Sequence, residues 1–143
     1  MARIKIQLPE HFKFETIIPV RVTDLNYGNH LANDRLLAIL HEARVQFLSQ
    51  FGYSEIDCAG IGLIMADVGI EYKNEAFYGD ILQIAIVATD FSRVSFDLCY
   101  RVETNTQLIA KAKTGMVAFD YQQRKVTEVP EVLKKQLGFD TLL

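Results

Sequence analysis

The sequence predicts an α+β fold in which one long helix packs against an antiparallel sheet. One segment, residues 33–51, carries apolar residues at helical spacing. Other segments have strand composition, and mostly short turns join them. Hairpin-length connections cannot join parallel neighbours, so the sheet should be antiparallel, with five or six strands. The chain has 143 residues, which suits a single domain, since each half alone would be too small for a good core.

The strands are predicted from composition and alternation. They cover residues 14–22, 63–76, 81–89, 94–103 and 108–120, and a short last helix is expected over 130–137. Pro19 cannot donate a hydrogen bond to a sheet, so the first strand should lie at an edge or carry a bulge there. The fourth strand alternates cleanly, and the fifth places small residues such as Ala110 and Ala112 on one face. Those small residues leave room for a bulky element to pack closely.

The helix over 33–51 has an apolar face that covers about half of its circumference. So wide a face predicts that the helix lies deep against the sheet. Gly52 stands where a helix stop belongs, and Asn29 or Asn33 could cap the first turn through its side chain.

Composition excludes several classes of protein. Lys and Arg number 15 against 18 Asp and Glu, a net charge of -3, which argues against binding nucleic acid through broad positive charge. No apolar run approaches the roughly 18 residues of a membrane span, and the first residues lack the apolar stretch of a signal peptide. Cys58 and Cys99 form no CxxC unit, so we expect two buried thiols, with no disulfide and no metal site. A cytoplasmic protein is therefore predicted.

The polar stretch 24–33, just before the helix, is the candidate site. The first turn of a helix exposes unpaired N–H groups, which can stabilise an oxyanion without a metal. Asp24 stands upstream as a possible base on water or nucleophile, and Asn29 or His30 could orient water or donate to a carbonyl. The alternative is structural, because Asp and Asn are ordinary loop residues and Asp24 could simply cap a turn.

These residues also resemble a family. The stretch reads Asp24-x-Asn26-x-Gly28-Asn29-His30-Leu31-x-Asn33, and the helix adds Glu42-Ala43-Arg44-x-x-Phe47. Further on come Val68-x-Ile70-x-Tyr72, Tyr78-Gly79-Asp80-x-Leu82 and Ser92-Arg93-Val94-Ser95-Phe96. Together they resemble the 4-hydroxybenzoyl-CoA thioesterase-like branch of the hotdog-fold superfamily, over roughly residues 14–121.

The resemblance implies a hotdog fold, an antiparallel sheet wrapped around a long central helix. It implies hydrolysis of an acyl-CoA or acyl-carrier-protein thioester, with Asp24 as general base or nucleophile and backbone N–H groups of the helix start on the thioester oxygen. It implies a homodimer joined edge to edge, or a tetramer, with the active sites at the dimer interface. No cofactor is expected beyond the coenzyme A of the substrate. Candidate substrate contacts are Tyr27, Gly28 and Asn33 in the loop, Met65 and Ala66 for the acyl group, and Arg93 for a CoA phosphate.

Other interpretations stay open at this point. Hotdog hydratases and dehydratases pair an Asp with a His in Asp-x-Asn-Pro-x-His, but Tyr27 replaces the proline here and His30 comes one residue late. A non-catalytic acyl-CoA-binding protein would have the same fold, since fold does not fix function. Glu42 is a second candidate base on the helix, for which we favour a structural or interface role.

Overall fold

The computed structural model describes residues 2–139. Its strands are β1 (Phe14–Pro19), β2 (Gly62–Tyr72), β3 (Ile81–Thr89), β4 (Ser95–Glu103), β5 (Leu108–Asp120) and β6 (Lys125–Val126). Its helices are α1 (Asn33–Ser49) and α2 (Glu131–Leu137), and a 3-10 turn covers Val22–Asp24. No helix within residues 2–139 combines the length and the apolar character needed to cross a membrane.

The strands form one antiparallel sheet in the order β1-β3-β4-β5-β2, with the short β6 beside β5. This confirms the predicted antiparallel sheet of five or six strands, and the number is six. β1 and β2 are its long edges, and Pro19 ends β1 opposite Ile81, so the edge position expected from the proline is also confirmed. The strand predicted over 63–76 stops earlier, at Tyr72, because the chain then turns away and the Lys73 N–H bonds the Ile109 carbonyl oxygen.

Helix α1 spans 17 residues and packs on the inner face of the sheet. Its buried side chains form one core with inward-facing residues of the central strands. Ala110 and Ala112 of β5 are fully buried in that core, so the face with the small residues is the inner face of the sheet. Burying this face is the main stabilising term of the fold, at about 25 cal/mol for each Å² of apolar surface.

The two ends of α1 are terminated in different ways. Gly52 adopts a φ of +78°, as the predicted helix stop requires. The predicted side-chain cap is wrong, because Ala32 occupies the cap position and makes no side-chain cap bond. Asn33 is already the first helical residue, and Asn29 is held in a separate turn at a φ of +64°. Neither asparagine is therefore free to cap.

A buried polar link ties α1 to the sheet. The Arg44 guanidinium donates to the Tyr100 hydroxyl at 3.2 Å and to Glu55 at 3.2 Å. The Tyr100 hydroxyl also bonds the Thr114 hydroxyl at 2.8 Å. Burial raises the pKa of Tyr100, so its phenol stays neutral and can donate to Thr114 while it accepts from Arg44. These hydrogen bonds connect the helix through Tyr100 of β4 to Thr114 of β5.

Before β1, residues 2–13 run over the outer face of the sheet, opposite α1. We call this segment the N-terminal strap. Its Ile6 N–H donates to a Glu71 oxygen at 3.1 Å, and the Phe12 ring lies 4.7 Å from the Arg101 guanidinium. The Lys13 N–H then bonds the Ile86 carbonyl at 2.9 Å, which leads the chain into β1.

Candidate active site

Two clefts flank the start of α1. The first, the Asp24 cleft, has a volume of about 410 Å³ and lies between β1 and the helix. Its polar lining is Asp24, Glu42, Arg21, Arg35 and Gln46. The second, the His30 cleft, has a volume of about 270 Å³ and lies between the helix start and the end of β2. Its polar lining is His30, Asn33, Tyr72, Lys73, Asn74 and Glu75.

Asp24 is a buried carboxylate, 4% exposed, at the end of the 3-10 turn. Its Oδ2 accepts the Arg21 backbone N–H at 2.8 Å and lies 3.5 Å from Arg21 Nε. Within residues 2–139 no hydrogen-bond donor contacts the other oxygen, Oδ1. Its own carbonyl accepts the Ala32 N–H at 2.9 Å. The carboxylate is thus fixed against the helix start with one oxygen left for chemistry.

The loop between Asp24 and the helix is a tight turn. Asn26 accepts the Gly28 N–H through its side chain at 2.9 Å and the Asn29 N–H through its carbonyl at 3.0 Å. Tyr27 is fully exposed at the tip of the turn. Gly28 and Asn29 follow it on the same turn, so these three predicted site residues lie together at the surface and outside both clefts.

The helix start offers two backbone donors. The N–H of Leu31 is bonded to the Ala76 carbonyl at 2.8 Å, and that of Ala32 to Asp24. In the described part of the chain, no acceptor contacts the N–H groups of Asn33 and Asp34. The first turn of a helix carries a partial positive charge, so this pair of donors can stabilise a developing oxyanion. Among the predicted site residues, Asn33 is the one that supplies such a donor.

His30 belongs to the second cleft. Its Nδ1 lies 3.2 Å from the Leu31 carbonyl oxygen, and its Nε2 lies 3.9 Å from a Glu75 oxygen. Nearby, the Tyr72 hydroxyl donates to the Asn33 carbonyl at 2.9 Å. Burial raises the pKa of Tyr72, which keeps this hydroxyl protonated as a donor. The lining of the His30 cleft does not include Asp24, and the lining of the Asp24 cleft does not include His30.

The remaining predicted site residues lie elsewhere within one chain. Met65 and Ala66 are on the open edge of β2, where a bulge interrupts pairing with β5 between Met65 and Asp67. Arg93 precedes β4 at the far end of the sheet and pairs with Glu128 at 3.4 Å. The structure does not bring these three to the helix start.

Sequence reasoning missed Arg21, Arg35 and Tyr72. Arg21 stands three residues before Asp24, and Arg35 is two residues into the helix. The signal that could have indicated both arginines was their nearness to Asp24 in the sequence, since a positive charge close to a carboxylate alters its chemistry. Tyr72 carried no local signal, because only the sheet brings it to the helix start.

Comparison with known proteins settles the family. The model of the thioesterase-like superfamily matches residues 20–137. The chain belongs to this superfamily. A 1,4-dihydroxy-2-naphthoyl-CoA hydrolase from Microcystis aeruginosa is 34% identical to this thioesterase-like chain over 129 residues, 88% of this chain and 92% of the relative. A hydrolase of the same name from Synechococcus elongatus is 28% identical over 130 residues, 88% and 94% of the two chains.

Solved structures show the same fold. A 1,4-dihydroxy-2-naphthoyl-CoA thioesterase from Synechocystis superposes with a TM-score of 0.77 at 22% identity, covering 87% of this chain and 94% of that one. The probable thioesterase YbaW from Escherichia coli gives 0.72 at 24% identity, covering 89% and 96%. The predicted hotdog fold and the predicted thioesterase family are both confirmed.

Proposed function

We propose that this thioesterase hydrolyses an aromatic acyl-CoA, with 1,4-dihydroxy-2-naphthoyl-CoA as the first candidate. The products are the carboxylic acid and free CoA. Two relatives that match almost nine-tenths of the chain carry that substrate in their names. The observation that carries the proposal is the placement of Asp24, a buried carboxylate fixed by its own carbonyl to a helix start with two open N–H donors.

The mechanism follows from those groups. Asp24 Oδ1 either takes a proton from a water molecule as that water adds to the thioester carbon, or attacks the carbon itself to form an anhydride that water then hydrolyses. The N–H groups of Asn33 and Asp34 donate hydrogen bonds to the thioester oxygen and stabilise the negative charge that develops on it. The CoA thiolate is a good leaving group, so little acid help is needed. Arg21 and Arg35 line the same cleft and give an anionic substrate a favourable potential.

Asn29 and His30 take supporting roles in this proposal. Asn29 closes the turn that carries the chain from Asp24 to the helix, and its positive φ holds that turn. His30 contacts the Leu31 carbonyl one residue before the helix cap. Both therefore position the loop, while the carboxylate does the chemistry.

We also propose that two copies join along β2. This strand has 11 residues and pairs on one side only, with β5. Along it Ile64, Met65, Val68 and Tyr72 are 36–48% exposed. Long apolar edges of this kind are normally covered, since they otherwise template aggregation. Such a dimer also gives Met65 and Ala66 a partner to contact. Sedimentation should show a mass of two chains, which Val68→Lys lowers to that of one.

The decisive experiment follows thiol release from aromatic and aliphatic acyl-CoAs by the wild type, Asp24→Asn and Glu42→Gln. Glu42→Gln is a matched control, because it makes the same carboxylate-to-amide change in the same cleft. We expect release from the aromatic substrates, lowered about 10²–10⁴-fold in kcat by Asp24→Asn and less than about tenfold by Glu42→Gln.

Three results would contradict the proposal or a part of it. Equal losses in both variants would place the base on Glu42 or share it between the two carboxylates. No release from any thioester, with the protein folded and substrate bound, would leave an acyl-CoA-binding protein. Faster turnover of aliphatic than of aromatic substrates would keep the chemistry and reject the substrate class.

A further inference from the structure

A third cleft, with a volume of about 410 Å³, lies where the N-terminal strap crosses the end of β2 and the start of β5. We call it the lysine cleft, because its charged lining is Lys5, Lys73, Lys111 and Glu71. Three ammonium groups against one carboxylate make this place positive, in a chain whose net charge is -3. The mechanism proposed above uses none of these four groups.

The strap and the sheet both fix the positions of these lysines. Next to Lys5, the Ile6 N–H donates to a Glu71 oxygen at 3.1 Å. The Ile6 side chain is 8% exposed and lies so near Gly69 that a Cβ added there would be 3.2 Å from it. Lys111 stands opposite Glu71 in the pairing of β2 with β5. Folding therefore brings together lysines that lie far apart in the sequence.

Two of the three ammonium groups are left to bind something else. Lys73 donates to Glu71, and this hydrogen bond lowers the pKa of the Glu71 carboxyl, which therefore stays ionised. Within residues 2–139, neither Lys5 nor Lys111 forms an ion pair. Lysine binds phosphate as a point charge, and a charge-assisted hydrogen bond of this kind is stronger than a neutral one. The lysine cleft is thus suited to a phosphate-bearing anion.

The lysine cleft adjoins the His30 cleft, because Lys73 lines both of them. The lining of the His30 cleft also includes Asn33, whose N–H is one of the two donors at the helix start. Between Lys73 and Asn33 the lining mixes apolar and polar side chains, among them Ile109, Tyr72 and Asn74. A continuous concave surface therefore leads from the helix start to the lysines.

We infer that the lysine cleft binds the phosphate groups of coenzyme A while the His30 cleft holds its pantetheine arm, an inference that rests on the proposed hydrolysis of a CoA thioester. CoA carries the thioester at one end of this arm and the phosphates beyond the other end. A substrate with its thioester carbon at the helix start must therefore place its phosphates further along the surface. The arm combines amides with methylene groups, which matches the mixed lining of the His30 cleft. Arg93, expected from the sequence to bind a CoA phosphate, pairs with Glu128 instead.

The kinetic test uses one acyl group on two carriers, CoA and pantetheine, of which pantetheine has no phosphate. The variants are Lys111→Gln and the double variant K5Q/K111Q. Lys113→Gln is the matched control, because it removes the same charge from the same strand and face, but Lys113 pairs with Asp97 at 3.6 Å and does not line the cleft. We expect KM for the CoA thioester to rise about 3–10-fold in Lys111→Gln and at least about tenfold in K5Q/K111Q, with kcat within about twofold, because the phosphates bind equally well in the ground state and the transition state. KM for the pantetheine thioester should not change in any variant.

Calorimetric titration of the full chain with free CoA tests the same site without turnover. We expect Kd to rise at least about tenfold in K5Q/K111Q and to stay unchanged in Lys113→Gln. An unchanged KM and Kd for CoA in the double variant would overturn the inference. An equal rise in KM with the pantetheine thioester would also overturn it, since the lysines would then act on something other than phosphate. If no thioester is hydrolysed but CoA binding follows the expected pattern, the proposed hydrolysis fails and the phosphate site stands.

Discussion

The Asp24 cleft and the His30 cleft share one helix start but differ in what their polar groups can do. In the first, a buried carboxylate has one oxygen bonded and one open, and two guanidinium groups stand near it. In the second, an exposed glutamate and a carbonyl flank the imidazole, and Tyr72 binds the helix backbone. Asp24 and His30 are only six residues apart in the sequence, yet they line different clefts. The tight turn after Asn26 sends the two side chains to different sides of α1.

The largest effect should come from Arg44→Met, which damages the helix that both clefts use. The change leaves Glu55 and the Tyr100 hydroxyl without the guanidinium in a mostly buried position. We expect the free energy of unfolding in urea to fall by about 2–4 kcal/mol. Arg93→Met is the matched control, since its pair with Glu128 is exposed and should contribute under about 1 kcal/mol. Equal losses would show that the buried link does not hold the helix.

His30→Gln tests whether the clefts are separate. Glutamine keeps a donor and an acceptor but cannot act as an acid or base near neutral pH. We expect kcat/KM for thioester hydrolysis to fall less than about tenfold, because the imidazole contacts groups of its own cleft only. A loss as large as that of Asp24→Asn would mean that the two side chains act on one water, as in the hydratase pattern.

Tyr72→Phe should give the smallest effect. It removes the hydrogen bond to the Asn33 carbonyl, which Tyr72 makes while it is still 48% exposed. We expect about 0.5 kcal/mol less stability in thermal or urea unfolding, with kcat unchanged. A clear fall in kcat would instead show that this hydrogen bond orients the Asn33 and Asp34 N–H donors. Tyr72 of the His30 cleft would then contribute to the reaction at Asp24.

The sheet and the helix could be predicted because their signals are local. Alternation over 94–103 and the small residues of β5 report which face is buried, and the structure agrees at Tyr100 and Ala112. The helix cap was mispredicted because Ala32 is bonded through its backbone to Asp24, which no side-chain preference records. The bulge after Met65 was also missed, since it depends on Asp67 accepting the Gly115 N–H from the neighbouring strand at 3.0 Å.

The candidate site, like the fold, could be predicted from the sequence only in part. Asp24 and Asn33 could be found because a carboxylate and a helix start close together in sequence already suggest chemistry. The separation of His30 from Asp24 could not be predicted, since it depends on the conformation of one turn, on Tyr72 at the end of β2 and on Glu75 just after that strand. The strap carries no periodic pattern at all, and its partner Glu71 is 65 residues away from Ile6.

The separation of 65 residues between Ile6 and Glu71 affects the order in which the parts of the molecule fold. The strap is synthesised before the strands on which it rests, and the contact of Lys13 with Lys135 spans 122 positions. Contacts between such remote positions are closed late, after the local hairpins have formed. The strap is therefore among the last parts to fold, and the outer face of the nascent sheet stays uncovered until it does.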